Sequence, residues 1–407
     1  MDYKDIGKWI EKQLVTLGNI SEYDGGIWRA AYTENEKKGK EFLKEIIKEL
    51  DLECYEDALG DIYARLPGKK QETILIGSHI DTVKDGGRYD GAAGVVVGIA
   101  ALGYLKKIGY TPERTIEVVG LLEEEGSRYP SSCHGSRGIN GLLKPEHLME
   151  KDADGITYYD AMKKAGYDPE KIDDVCRKDI AAYVELHIEQ GAVLESENIQ
   201  IGVVDGIVGI VNYDVLIKGQ QNHAGTTPMN LRKDPVTAAC SLISKMTEEV
   251  KKDGRKTVAT FGKIQSYPGM QNVIADSVFI SLDMRDINRD TLKEMENYFL
   301  KCIDDIKNMG FDVSAKQTQW SDPVKMDDRL MSLLAEAATE EKVTNKVMSS
   351  GAGHDAMVFA EYLPTAMIFV PSENGISHNP AEYTSPEDLE AGFRVLRNLI
   401  MKVDKSF

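Results

Sequence analysis

"GSHIDTVKDGGRYDGAAG", Gly77 to Gly94, follows the apolar run Ile74-Leu75-Ile76. A buried strand that opens into glycine, aspartate and a histidine suits a strand end that builds a site. Bare backbone permits close approach of chain segments, and these side chains are of the types that hold metal ions. His79 follows the strand, and Asp81, two residues on, is placed to hold its imidazole in one tautomer. Asp90 lies between "GGRY" and "GAAG", so a glycine loop can turn it back beside its own strand. A helical pattern, Ala92–Lys107, follows. Strand, glycine loop and helix make the first half of a crossover unit, and crossovers imply a parallel sheet. Alone, His-x-Asp is a weak signal that reads better as a solvated loop, so the other strand ends decide.

Outward from this stretch, strands are expected at Thr73–Ile76, Thr115–Leu121, Tyr183–Leu186 and Pro364–Val370. Helices are expected at Glu41–Leu50, Ala92–Lys107 and from Pro386 onward. This alternation predicts an α/β domain with a largely parallel sheet and helices on both faces. The middle of the chain differs. Asn212–Gly219 alternates like a half-exposed strand, Asp234–Lys252 is helical, and Val258–Ser266 and Val278–Arg285 read as strands. Asp290–Gly310 is an amphipathic helix with a glycine stop, and "FDVSAKQTQW" closes the set as a strand. The order β-α-β-β-α-β is ferredoxin-like. With 407 residues, two domains are expected. Residues 1–210 and 323–407 form a discontinuous α/β domain, and 211–322 an inserted α+β domain.

Hydrophobic residues make up 42% of the chain, enough for packed cores, and the net charge is −18. That excess of acid argues against nucleic acid or an anionic membrane as partner, but not against a small anion held by a few local cations. No run of eighteen apolar residues suggests a membrane span. The start, "MDYKDIGKWIEKQL", reads as an amphipathic helix and not a signal peptide. Five scattered cysteines without a CxxC pair read as reduced thiols in a cytoplasmic protein. Cys133, beside His134, reads as an ordinary loop thiol.

The other strand ends carry similar chemistry. "LLEEEGSR" places Glu123, Glu124 and Glu125 at the tip of an apolar strand, where they repel one another unless cations intervene. Neighbours on a strand face opposite sides, so Glu124 and Glu125 cannot both be ligands unless the backbone turns. "AAYVELHIEQG" supplies His187, Glu189 and Gln190, and "PSENGISHNPAEYT" supplies His378. In open α/β sheets the ligand crevice lies at the carboxyl ends of the strands. Three histidines and several carboxylates there suit zinc, manganese or cobalt.

These motifs, with "NHAGTTPM", "MRD" and "SGAGHDA", resemble the M20 family of dinuclear metallohydrolases over essentially the whole chain. His187, where peptidase members usually place a carboxylate, looks like the amidohydrolase branch that hydrolyses ureido compounds. The resemblance implies two divalent ions per subunit. Asp90 would bridge them, His79 and His187 would complete one site, and Glu125 and His378 the other. Glu124 would be the general base. His223 would reach into a partner subunit's site to stabilise the oxyanion, which implies a homodimer built through an inserted dimerisation and lid domain. Arg285, Asn272 and Gln190 would hold a substrate carboxylate, with Ala352 and Gly353 offering backbone groups. The implied reaction is hydrolysis of a ureido C–N bond in allantoate, releasing ammonia and carbon dioxide with ureidoglycine or ureidoglycolate. N-carbamoyl-L-amino acids (or β-ureidopropionate) are the alternative substrates, and peptidase or aminoacylase activity a more distant one. His354 and Asp355 read as structural, and His134 and His147 as bystanders. Tyr129 stands where the family pattern leads one to expect phenylalanine.

Overall fold

The computed structural model describes residues 3–21, 26–252 and 256–406. The chain divides into two compact units, Met1–Asp205 with Lys325–Phe407, and Gly206–Val324.

The larger unit is built on a nine-stranded sheet. Its order is Glu53–Glu56, Ile62–Leu66, Arg114–Leu121, Lys70–His79, Ile180–Ile188, Thr365–Val370, Ile201–Ile207 and Val324–Lys325, with Asn345–Ser350 also paired to Ile201–Ile207. The four strands from Arg114–Leu121 to Thr365–Val370 are mutually parallel, while the ladders flanking them are antiparallel. Arg114–Leu121 is buried along its whole length, as a strand covered on both faces must be. Helix Ala92–Lys107 lies against the parallel strands. It is buried nearly all round because helices Ile6–Gly18 and Pro386–Ser406 pack on it in turn, so its apolar residues show no stripe. Ile74, Ile76, Val184 and Leu186 face this core. The alternate residues face the other way, where short helices His134–Ile139 and Asp355–Ala360 lie and Phe359 stacks on Tyr183 with ring centroids 3.9 Å apart. Tyr183, Glu185 and His187 share that second face by strand alternation.

The smaller unit has a four-stranded antiparallel order, Ile264–Tyr267, Ser277–Asp286, Gly209–Lys218 and Asp312–Ser321. Val258–Thr260 pairs beside Ser277–Asp286. Helices Pro235–Val250 and Arg289–Asn308 cover one face, and burial alternates along Gly209–Lys218 accordingly. This is the ferredoxin-like order. The strand expected over Val258–Ser266 is two short pieces, interrupted at Phe261–Lys263. Among the described residues no helix is long and apolar enough to cross a membrane.

Candidate active site

His79 and His187 end two adjacent parallel strands, with ring centroids 5.8 Å apart. Each ring turns its Nδ1 to a main-chain carbonyl, that of Asp81 at 3.0 Å and of Ile188 at 2.9 Å. Both Nδ1 atoms are therefore donors, and both Nε2 atoms face Asp90 Oδ1, at 3.5 and 3.2 Å. The Asp81 carboxylate was expected to hold His79. It lies 3.6 Å from Nδ1, and its oxygens instead accept from the amides of Glu124 and Glu125. The backbone carbonyl fixes the tautomer, and the carboxylate fixes the next loop.

The glycine loop brings Asp90 back as expected. Gly91 has φ +61, and a Cβ there would collide with the His79 ring. Gly87 admits the Glu382 carboxylate in the same way. On the far side of Asp90, Oδ2 lies 3.3 Å from His378 Nε2, which is 3.5 Å from Glu125 Oε2.

The acidic run is not a strand. The ladder ends at Leu121, and Glu123 takes φ +50. The backbone turns, so strand alternation does not separate Glu124 from Glu125. Glu123 faces inward and accepts from the amides of Arg128 and Tyr129. Glu124 Oε2 comes within 3.6 Å of His79 Nε2. Ligand-type atoms of His79, Asp90 and His187 lie within 4.8 Å of one another. The same holds for Asp90, Glu125 and His378, and for His79, Glu124 and Glu125. The first two groups share Asp90.

Burial would raise Asp90, but the imidazoles of His187, His378 and His79 outweigh it and hold the carboxyl well below its usual range. Burial drives Glu124 well above the carboxylate range, and pushes Glu125, beside Asp90, up to about 7. Asp90 lifts His378 to about 9. Burial would lower His79, yet Glu124 and Asp90 raise it well above the usual imidazole value. Carboxyls and imidazoles of this cluster alike hold on to protons. Glu125 Oε1 is buried without a hydrogen-bond partner among the described residues. An acceptor left bare, and imidazoles whose Nδ1 donors point away, fit divalent cations in place of those protons.

The profile of Peptidase family M20/M25/M40 matches residues 75–402. The chain belongs to this family. Allantoate amidohydrolase of Escherichia coli (strain K12) is 41% identical over 404 residues, 97% of each chain. N-carbamoyl-L-amino acid amidohydrolase of Geobacillus stearothermophilus is 35% identical over 403 residues, 98% of each. A crystal structure of a hydantoinase/carbamoylase-family amidase from Burkholderia multivorans superposes with a TM-score of 0.92 at 33% identity, covering 97% of each chain.

In this M20 chain the remaining sequence candidates are distributed as follows. Gln190 takes φ +57, and its amide donates to Asp90 Oδ2 at 2.8 Å. Ala352 and Gly353 lie in the loop before helix Asp355–Ala360, Ser350 Oγ bonding both main-chain groups of Ala352. His223, Asn272 and Arg285 belong to the smaller unit. His223 is exposed on a two-residue strand paired with Val273–Ile274, and its Nδ1 accepts from the amides of Gly225 and Thr226. That leaves the proton on Nε2. The carbonyl of Asn272 accepts from Ala224 N. Arg285 forks onto Asp283, two residues back on the same face of its strand, at 2.9 and 3.0 Å.

His354 is buried, bonds Ser350 Oγ through Nε2 and meets the His187 ring edge-on at 4.5 Å. Asp355 accepts from Ser136 Oγ. His134 pairs with Ser131 Oγ, and His147 accepts from Lys144 N. Tyr129 is buried, its hydroxyl donating toward the Thr157 carbonyl. Cys133 is more than a loop thiol: its Sγ lies 3.8 Å from Glu124 Oε1. Sequence reading missed Glu185, whose oxygens accept from Ser78 Oγ and Ala356 N beneath the imidazoles. It missed Ser377 and Glu382 as well. The available signal was an acid inside an apolar strand, and another five residues after the loop serine in "PSENGISHNPAE".

Proposed function

We propose that this chain hydrolyses a ureido C–N bond, with allantoate as substrate and ammonia, carbon dioxide and ureidoglycine or ureidoglycolate as products. The observation that carries the reading is the pair of three-residue ligand groups meeting at Asp90. The likeness to an allantoate amidohydrolase supplies the substrate class. His79, Asp90 and His187 would hold one divalent ion and Asp90, Glu125 and His378 the other, zinc or manganese by donor type, with cobalt also suited. When bound, such ions supply Lewis acidity and acidify water.

The chain's own residues do the rest. Glu124, buried beside His79, accepts the water proton and returns it to the leaving nitrogen. His223 donates from Nε2 to the developing oxyanion of a partner protomer's substrate. Arg285, Asn272 and Gln190 hold the substrate carboxylate, and the Ala352–Gly353 backbone flanks it. A homodimer formed through the smaller unit is supported by its exposed Met229, Leu231, Ile264, Tyr267 and Met270. Sedimentation of the protein as a monomer would remove the in-trans role of His223. The free thiols support a cytoplasmic location.

The test is ammonia release from allantoate by metal-loaded protein, run beside a panel of N-carbamoyl-L-amino acids. No ammonia from allantoate would reject the first reading. Faster turnover of the panel would favour the second, which the 35% identical N-carbamoyl relative supports. A dipeptide cleaved faster than any ureido compound would overturn both.

A further inference from the structure

We infer that Ser377 and Glu382 form a clamp that orients the Asp90 carboxylate and so sets the ion affinity of the centre. Both are positioning residues, and the inference rests on the reading that Asp90 bridges two ions.

Glu382 is 2% exposed. Its Oε1 accepts from the amides of Tyr89 and Asp90, at 2.8 and 3.0 Å. Its Oε2 is 3.1 Å from Ser377 Oγ, which lies 2.8 Å from Asp90 Oδ2, so the one hydroxyl hydrogen is shared between the two carboxylates. One glutamate therefore grips the main chain of Asp90 directly and its side chain through a serine. The ring closed by these bonds fixes the rotation of the carboxylate, which is what decides whether its two oxygens face two different imidazole groups. Gln190 adds a second donor on Oδ2. The clamp also reaches His378. That residue follows Ser377 directly, takes φ +53 and has a half-exposed side chain, so the hydrogen-bonded serine anchors it to the clamp.

The sequence is built around this contact. Gly87 carries no side chain where a Cβ would overlap the Glu382 carboxylate. A glutamate placed only to join two loops would tolerate a less costly partner than a second buried acid. Here two carboxylates, Asp90 and Glu382, share one hydroxyl, an arrangement that favours positive charge at the oxygens pointing away from it.

The experiment uses the full chain and the variants Ser377→Ala, Glu382→Ala and Glu382→Gln. Each is equilibrated with zinc against a graded competing chelator, and bound zinc is counted by elemental mass spectrometry. Circular dichroism checks the fold. Wild type should hold two ions. Ser377→Ala and Glu382→Ala should lose zinc at about 10–100-fold lower chelator, while Glu382→Gln stays within about threefold of wild type. The glutamine can accept from both amides through Oε1 and donate to Ser377 through its nitrogen, so the ring survives without the charge. Removing one hydroxyl leaves the chain able to fold, so Ser377→Ala decides the matter even if Glu382→Ala does not fold. Wild-type affinity in Ser377→Ala would overturn the clamp, as would equal losses in Glu382→Gln and Glu382→Ala. A wild-type chain that binds no zinc strikes the two-ion reading itself, and the clamp with it.

Discussion

Glu124 and Glu125 are adjacent, alike and both turned toward the same imidazoles, yet their surroundings separate them. Glu125 shares its group with Asp90 and His378, and one of its oxygens is bare. Glu124 lies beside His79 and the Cys133 thiol. Glu124→Gln should retain both ions by elemental analysis and lose about 10²–10⁴-fold in kcat, the range of general-base deletion. An ion missing from that variant would make Glu124 a ligand. Arg285 is a different case. It already forks onto Asp283, and a substrate carboxylate would compete for that fork. Arg285→Ala should raise KM for allantoate about 10–100-fold with kcat little changed, as loss of a charged hydrogen bond predicts. Steady-state constants identical to wild type would take Arg285 out of the site. Residue type at and beyond the strand ends marked His79, Asp90, the Glu123–Glu125 run, His187 and His378 as candidates in the sequence, and the M20 resemblance chose among them. Glu382 was not marked, because it accepts from main-chain amides 292 and 293 residues earlier, and amides carry no sequence signature.

At the scale of elements, the loop from His79 to Gly91 is where sequence and structure agree most closely. Helix Ala92–Lys107 begins and ends where its pattern does. The edge strand Glu53–Glu56 and its neighbour Ile62–Leu66 escaped notice because short, mixed segments lack a clear period. The acidic run misled for a physical reason: one residue at positive φ converts a strand tip into a turn and cancels alternation. Gly91→Ala tests how tightly the loop is built. Its left-handed backbone would cost an L residue about 1–3 kcal/mol, and the new methyl would displace the His79 ring. Both a lower Tm and weaker zinc retention are expected. Gly262→Ala, whose Cβ meets open space, should stay within about 0.5 kcal/mol of wild type. Equal shifts in the two variants would mean that the Gly91 contact carries no special strain.

For the whole molecule, the order of elements was enough to foresee a sheet domain with a ferredoxin-like insertion, since each piece has its own period and its own core. Pairing between distant strands, such as Thr365–Val370 with Ile180–Ile188, left no trace that one sequence can show. The division into units has a consequence for stability. Every ligand-type side chain of the shared Asp90 groups lies in the larger unit, and their mutual repulsion is relieved only by protons or cations. Cations binding the folded state alone stabilise it by about 2.7 kcal/mol for each site at a free concentration one hundred times Kd. Stripping them with a chelator should therefore lower Tm and abolish turnover, with recovery on adding zinc or manganese. Hydrogen exchange should locate the effect. Faster exchange is expected in 79–91, 122–125, 187–190 and 377–382, the segments that carry the site and its clamp. The strands Gly209–Lys218 and Ser277–Asp286, which hold the core of the smaller unit, should exchange as before. Uniform deprotection of both units would show that the ions stabilise the chain globally, and that the centre is not the local keystone its geometry implies.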